Sequence, residues 1–260
     1  MRTLCQPKRI LITGASRGIG REAALLLAQH GHRLVLAARD SDALEAVARE
    51  IRSQGGHAET LPLDLTDDVS VERAASALLA TGPCDVLVNN AGYLDQREFL
   101  LRPTNTLSAE MDLNYWGAVR LTRALLPALI QRRSGVIVNV SSLLGSIASP
   151  TTANYCASKA ALEAWTLALR AEVARFGIRM SIFVAPHTDT ESGGRAKFDG
   201  VVSLPVTYTA RQLVRAIDRA PRKYAGSPVY RLLLGLARLF PAFMEGRVGS
   251  TARGQLVAGP

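Results

Sequence analysis

The sequence predicts a doubly wound α/β fold, a parallel sheet with helices on both faces, and three observations carry that prediction. Short β-branched runs alternate with longer helical patterns, the runs are continuously apolar, and the joints between them are short. Continuous apolar runs mark strands covered on both faces. Strand–helix alternation with short joints implies parallel strands linked by right-handed crossovers. The composition agrees: of 260 residues, 48% are hydrophobic, 20% charged and 5% aromatic, which describes a globular chain able to bury a sizeable core. The reading is one domain over 1–260, with no internal repeat.

The elements follow in order. Arg9–Thr13 reads as a strand, and the segment after Gly18 as a helix with Ala23, Leu26 and Leu27 on one face. Leu34–Ala37 is a second strand. Asp42–Ser53 is a helix with Leu44, Val47, Ala48 and Ile51 at helical spacing. Thr60–Leu63 is a weak third strand and Val69–Leu79 a third helix. Asp85–Val88 is a fourth strand. Leu107–Gln131 reads as a long helix that Pro127 kinks or resets. Val136–Val140 is a fifth strand, Ala153–Arg175 a long helix and Arg179–Val184 a sixth strand.

Charge and cysteine narrow the function classes. The net charge is +9, and the nine basic residues and two acids from Arg211 to Pro260 supply +7 of it. That segment has no compact Lys/Arg run with interleaved aromatics, so no nucleic-acid partner is expected. Cys5, Cys84 and Cys156 form no CxxC pair, which suggests neither a disulfide framework nor a metal site. A reducing, cytoplasmic setting follows. Met1 to Arg9 has no apolar core of a signal peptide, and no run of 18 apolar residues exists.

In doubly wound folds ligands sit beyond the carboxyl ends of the strands, so the chemistry is sought there. After the first strand comes Thr13-Gly14-Ala15-Ser16-Arg17-Gly18-Ile19-Gly20. Three glycines between a strand and a helix permit a tight turn that brings backbone N–H groups and the helix N-terminus up to a phosphate. After the second strand, Ala38 occupies the place where a ribose-binding acid is expected. Arg39 and Arg17 suit a 2′-phosphate instead, with Asp40 keeping an unphosphorylated ribose open. Asp64-Leu65 follows the third strand, where the carboxylate either accepts from an adenine amino group or begins the next helix. Asn89-Asn90-Ala91-Gly92 follows the fourth and suits a slot lined by backbone, or a simple turn.

Ser141 and Ser142 follow the fifth strand, and Tyr155 and Lys159 lie four apart at the start of a long helix, on one face. A phenol near pKa 10 is a poor acid or base at neutral pH. A nearby ammonium stabilises the phenolate and lowers that pKa, so the pair forms a proton-transfer unit, with Ser142 holding a carbonyl oxygen.

Together these residues resemble the short-chain dehydrogenase/reductase family. The resemblance rests on Thr13-Gly14, Gly18 and Gly20, on Asn89-Asn90-Ala91-Gly92, and on Asn114, Ser142, Tyr155 and Lys159. Ser142 stands 13 residues before Tyr155, and Asn114 stands 28 before Ser142. It covers about residues 8–190 and implies a Rossmann-type sheet of seven parallel strands with a nicotinamide cofactor. It implies Tyr155 as the acid/base, Lys159 lowering its pKa and binding the nicotinamide ribose, Ser142 polarising the substrate carbonyl, and Asn114 holding a relay water. Ser141 competes for the role of Ser142, and the spacing alone favours the latter. The cofactor set is then Gly14, Ser16, Arg17, Gly18, Ile19, Gly20, Arg39, Asp64, Leu65, Asn90, Ala91, Gly92, Tyr155 and Lys159. Thr188 and Thr190 compete for the carboxamide.

One departure matters: where the family has Pro-Gly, this chain reads Ala185-Pro186-His187. His187 could reach substrate or phosphate, though an ordinary loop histidine is the favoured reading. Residues 187–207 form a substrate loop, with Glu191 to Thr207 as a lid hinged at Ser192-Gly193-Gly194. Residues 226–260 form a basic, partly amphipathic extension. Within it Leu232, Leu233, Leu236, Leu239, Phe240 and Phe243 recur at near-helical spacing between Val229 and Met244. Arg231 and Arg238 share a face. That segment either covers the cleft or docks on an anionic membrane. The resulting expectation is an NADPH-dependent reductase of a ketone or aldehyde with a lipophilic body, working as a homodimer or homotetramer through the helices near 107–131 and 153–175. The alternatives are a secondary-alcohol dehydrogenase using NAD(P) and a cofactor-sensing protein without activity.

Overall fold

The computed structural model describes residues 6–190, 202–240, 242, 243 and 246. The lid from Glu191 to residue 201, the expected hinge and Cys5 lie outside the described residues. Six apolar runs form β1 (Arg9–Thr13), β2 (Arg33–Ala38), β3 (His57–Pro62), β4 (Val86–Asn89), β5 (Gly135–Ser142) and β6 (Ile178–Ala185). A two-residue pair, β7 (Thr188–Asp189) and β8 (Leu204–Pro205), stands apart, and β9 (Lys223–Tyr224) closes the main sheet. That sheet has seven parallel strands in the order β3-β2-β1-β4-β5-β6-β9. The order reverses between β1 and β4, which opens a crevice at their carboxyl ends.

Helices cover both faces. Ile10 and Ile12 point to one face, toward α1 (Gly18–Gln29), α2 (Ser41–Ser53) and the helix over Val206–Arg219. Leu11 points to the other, toward α3 (Asp68–Ala80) and the helix over Gly117–Arg132. The remaining helices, in chain order, are a single turn α4 (Ala109–Met111), α5 (Gly117–Arg132), α6 (Ala153–Val173), α7 (Val206–Arg219) and α8 (Pro228–Leu239). Among the described residues no helix is long and apolar enough to cross a membrane.

Several elements differ from the sequence reading. The third strand begins at His57, earlier than its apolar run, because it is an edge strand with half-buried residues. The long helix read over Leu107–Gln131 is broken: α4 runs into a π turn over Asp112–Trp116 before α5 resumes, and α5 then continues through Pro127. β9 and α7 were missed. β9 is too short to leave a pattern, but α7 carries Ala210, Leu213, Val214 and Ile217 at helical spacing, all buried.

The stretch after β4 is held by a buried ion pair. Glu110 is 0% exposed and the Arg102 side chain 1%. Arg102 Nη1 donates to Glu110 Oε2 at 2.8 Å, Asp95 N donates to Glu110 Oε1 at 3.0 Å, and Arg102 also donates to the Asp95 carbonyl. Burial pushes the Glu110 carboxyl above its usual range, opposed by the Asp95 amide and Arg102. Removing one member strands the other charge, at a cost of about 3–5 kcal/mol, whereas replacing both with apolar groups is close to neutral. Arg102→Ala is therefore expected to lower the thermal unfolding midpoint strongly, and Arg102→Met with Glu110→Leu to recover most of it.

Candidate active site

The site is built where the strand order reverses. Gly14 and Gly18 adopt φ of 64° and 57°, the left-handed region that side chains avoid. A Cβ on Gly14 would stand 2.9 Å from Ala91 Cα, so the turns after β1 and β4 touch backbone to backbone. Thr13 Oγ1 accepts from both Asn90 N and Ala91 N at 3.0 Å. Asn90 Nδ2 donates to the carbonyls of Thr13 at 2.9 Å and Gly14 at 3.2 Å. Asn89 faces inward instead, donating to Thr122 and Asn139.

The first turn of α1 has neither a side-chain cap nor an acidic residue, unlike α2 and α3, which Asp40 and Asp67 cap. Its amides are thus left for an anion in the crevice. Gly20 does not line the crevice: a Cβ there would stand 2.3 Å from Gly14 O and 2.5 Å from Asn90 Nδ2, so this glycine serves packing rather than a cofactor contact.

Arg17 and Arg39 are exposed at the end of the crevice beside Ala38 and Asp64. Asp40, the acid that keeps an unphosphorylated ribose open, accepts from Ala43 N at 3.0 Å through Oδ1 as the cap of α2. Asp64 accepts from the amide and hydroxyl of Thr66, at 2.9 and 2.7 Å, and these bonds hold its carboxyl below the usual range. Ser16, Ile19 and Leu65 complete this half.

At the end of β5 the two serines part. Ser141 is buried and donates to Glu163 Oε1 at 2.7 Å. Ser142 accepts from Leu144 N at 3.2 Å and lines the cleft together with Tyr155, whose hydroxyl it favours in the ionised form. Strand alternation sends neighbouring side chains to opposite faces, so only one hydroxyl faces the tyrosine.

Lys159 Nζ donates to Val140 O at 2.9 Å and lies 5.7 Å from the centre of the Tyr155 ring. Burial pushes the Tyr155 hydroxyl up to about 12, with Ser142 working against it. Burial also pulls Lys159 down to about 8, with Glu163 opposing. Desolvation dominates the shift of the phenol, and the ammonium bonds the Val140 carbonyl.

Asn114 sits in the π turn behind the cleft, not on its wall. Its Oδ1 accepts from Tyr93 N at 2.7 Å, and its Nδ2 donates to Tyr93 O at 2.9 Å and Ser158 Oγ at 3.0 Å. A Cβ on Gly92 would lie 3.3 Å from Asn114 Oδ1 and 3.4 Å from Lys159 Nζ, so both groups face one small space beside Gly92.

On the far side, Thr188 is buried, donates to Pro186 O at 2.8 Å and bonds Thr209. Thr190 reaches across toward the glycine turn, where a Cβ on Gly18 would meet its Cγ2 at 3.4 Å. His187 lines the cleft with its pKa lowered by burial, opposed by Asp189, and no cluster of metal-ligating residues occurs among the described residues. The cleft measures about 1550 Å³. Beyond Tyr155 its wall turns apolar, with Leu144, Ile147, Tyr230, Leu233, Leu236 and Phe243.

A family model described as short chain dehydrogenase matches residues 8–198. The chain belongs to the short-chain dehydrogenase family. A fatty acyl-CoA reductase of Acinetobacter baylyi is 37% identical over 84% of this chain and 75% of its own length. A very-long-chain 3-oxoacyl-CoA reductase of Ajellomyces capsulatus is 34% identical over 80% of this chain and 61% of its own. Human dehydrogenase/reductase SDR family member 7 is 43% identical over 64% of this chain, and the match spans 51% of that protein. Among solved structures, a short chain dehydrogenase from Burkholderia cenocepacia in complex with NADP superposes with a TM-score of 0.81 at 26% identity, covering 94% of this chain and 98% of the other. An alcohol dehydrogenase from Thermococcus sibiricus with 5-hydroxy-NADP gives 0.77 at 28% identity over 86% of this chain and 98% of its own.

For this short-chain dehydrogenase, an oxidoreductase, the leucine spacing of α8 offers a segment that covers the cleft, and Leu233, Leu236 and Phe243 do line it. The sequence reading omitted the carboxylate of Glu163. That residue had no signal, because its partners are distant in the chain. The hydroxyl geometry separates the two serines: Ser142→Ala is expected to cut turnover by a factor of about 100 or more, the scale of one lost oxyanion-type donor. Ser141→Ala is expected to retain far more of it, and steady-state rates on both variants check this.

Proposed function

We propose that this chain reduces the carbonyl of an acyl-chain-like ketone or aldehyde with NADPH. The observation that carries the reading is that Tyr155 and Ser142 line one cleft shared by the glycine turn and an apolar wall. The residues fit a dinucleotide: two left-handed glycines, an uncapped helix N-terminus and two arginines line one continuous crevice. Gly14, Ser16, Gly18 and Ile19 would hold the pyrophosphate. Arg17 and Arg39 would hold a 2′-phosphate, Asp64 and Leu65 the adenine, and Asn90, Ala91 and Gly92 the middle of the molecule. Lys159 would hold the nicotinamide ribose and Thr190 the carboxamide. When bound, the cofactor supplies the hydride.

The chain's own residues do the rest. Ser142 holds the substrate oxygen, and the Tyr155 hydroxyl gives that oxygen its proton. At neutral pH the phenol is protonated, the form that donates in a reduction, and burial favours that form. Lys159, with a pKa near 8, carries its charge at pH 7 and loses it as the pH rises. Asn114 and the space beside Gly92 lie where a water would pass a proton onward. The apolar wall, together with the acyl-CoA named for two relatives, supports an acyl chain as the body of the substrate. Tyr155→Phe is expected to leave NADPH binding intact and to retain less than a few per cent of turnover on a panel of acyl ketones and aldehydes. NADH is expected to bind more weakly than NADPH. Equal affinity for the two, or a Phe variant with substantial rate, would remove the respective assignment.

The same reading extends to partners. Tyr115 and the exposed Trp116 meet edge to face at 4.8 Å, and Tyr115 reaches Trp165 of α6 at 6.4 Å. This aromatic surface, on the π turn before α5 and on α6, supports self-association into a dimer or tetramer. α8 has two apolar sides. Tyr230, Leu233 and Leu236 face the cleft, while Leu232 and Leu239 are 64% and 71% exposed beside Arg231 and Arg238. An outward apolar face with a basic flank and no acid supports docking on an anionic membrane. Sedimentation with anionic liposomes is expected, reduced by high salt and lost in Leu232→Asp with Leu239→Asp. Recovery of that double variant with the liposomes would sink the idea.

A further inference from the structure

One buried carboxylate has no part in the chemistry above. Glu163 lies one turn beyond Lys159 on α6 and is 8% exposed. An ionised carboxylate at such a place is costly unless it is fully bonded. Here it is. Oε1 accepts from Ser141 Oγ at 2.7 Å, and Oε2 accepts from Lys223 Nζ at 2.6 Å and from Ser146 Oγ at 3.4 Å. Lys223 comes from β9, 60 positions along the chain, and also donates to Ser146 Oγ at 3.0 Å. All of this closes on Gly145. A Cβ there would lie 2.9 Å from Ser141 Oγ, 3.1 Å from Lys159 Cβ and 3.2 Å from Glu163 Oε1.

We infer that Glu163, countered by Lys223, is a positioning residue that keeps Lys159 charged in its buried place and anchors the Ser141–Ser142 strand end. The inference rests on the reading of Lys159 as the cofactor-binding ammonium. Among the described residues the titratable groups of α6 that face Lys159 are Tyr155 and Glu163. β5 and the Asn114 turn bring neutral groups, and Lys223 of β9 faces it across Glu163. Glu110 and Cys156 act on Tyr155. Desolvation drives the ammonium toward its neutral form, and Glu163 is the charge that opposes this. Lys223 tempers that field and, through Ser146, ties it to the wall segment Leu143–Gly145. Sequence spacing gives no warning of the arrangement, because Glu163 reads as an ordinary helix residue.

The test is the pH dependence of NADPH binding and of kcat/KM for the full chain and for Glu163→Gln, Lys223→Gln and Glu163→Asp. In the unaltered protein both quantities are expected to fall as pH rises through about 8. In Glu163→Gln that fall moves to lower pH by about one unit or more, the scale of one close opposite charge. Activity lost at pH 8 is then partly regained at pH 6. Lys223→Gln moves it to higher pH, because the carboxylate then acts undiluted. Glu163→Asp keeps the charge and returns the midpoint toward that of the unaltered protein. Equal losses at every pH with an unmoved midpoint, or shifts of the same sign in Glu163→Gln and Lys223→Gln, would overturn the inference. If Glu163→Gln does not fold, an unmoved or lowered midpoint in Lys223→Gln overturns it alone. Binding by the unaltered protein that shows no fall near pH 8 would instead overturn the reading of Lys159.

Discussion

The contact on which the site depends is the clasp between the turns after β1 and β4. These strands lie side by side where the order reverses, so their helices leave on opposite faces and their turns would diverge. Thr13 Oγ1 holds the amides of Asn90 and Ala91, and the Asn90 side chain holds the carbonyls of Thr13 and Gly14. Four hydrogen bonds between buried or half-buried groups are costly to leave unmade, so the crevice keeps a fixed width. The absence of a side chain on Gly14 lets the two backbones close to contact, and the free end of α1 then points across the gap.

Burial does opposite things to the two titrating groups on α6 and yet prepares both for one task. It favours the neutral form of each, which raises a phenol and lowers an ammonium. In the proposed reduction the neutral Tyr155 is the proton donor. The proposed ribose contact of Lys159 needs the charged form, and a carboxylate one turn away opposes its loss. That carboxylate is itself paired with Lys223.

The π turn at Asp112–Trp116 shows a related trade. A π turn is an irregular way to continue a helix and recurs at functional sites. Here it carries Asn114 inward, where the amide bonds the Tyr93 backbone on one side and Ser158 of α6 on the other. The loop after β4, the π turn and α6 are locked together through one side chain. The buried Arg102–Glu110 pair fastens the same loop from its far end.

The long strands other than β3 were legible because a strand covered on both faces must be apolar throughout. The glycine turn was legible because only glycine accepts its backbone angles at Gly14 and Gly18. The residues around Tyr155 and Lys159 were legible because helical spacing puts them on one face. What the chain order could not hold is any choice made by a distant partner. Ser141 and Ser142 are alike in sequence, and the pleat together with Glu163 separates them. Asp40 reads only as an acid near the ribose site, and the fold shows that it also caps α2 through the Ala43 amide. Gly20 reads as part of a phosphate turn until the backbone of Gly14 is seen pressed against it. Lys223 sits in a strand too short to leave a pattern and meets Glu163 only because β9 is laid against β6. Periodicity and spacing report which side of an element is buried; only tertiary structure decides which polar groups meet there, since each pairing depends on atoms that the fold alone brings together.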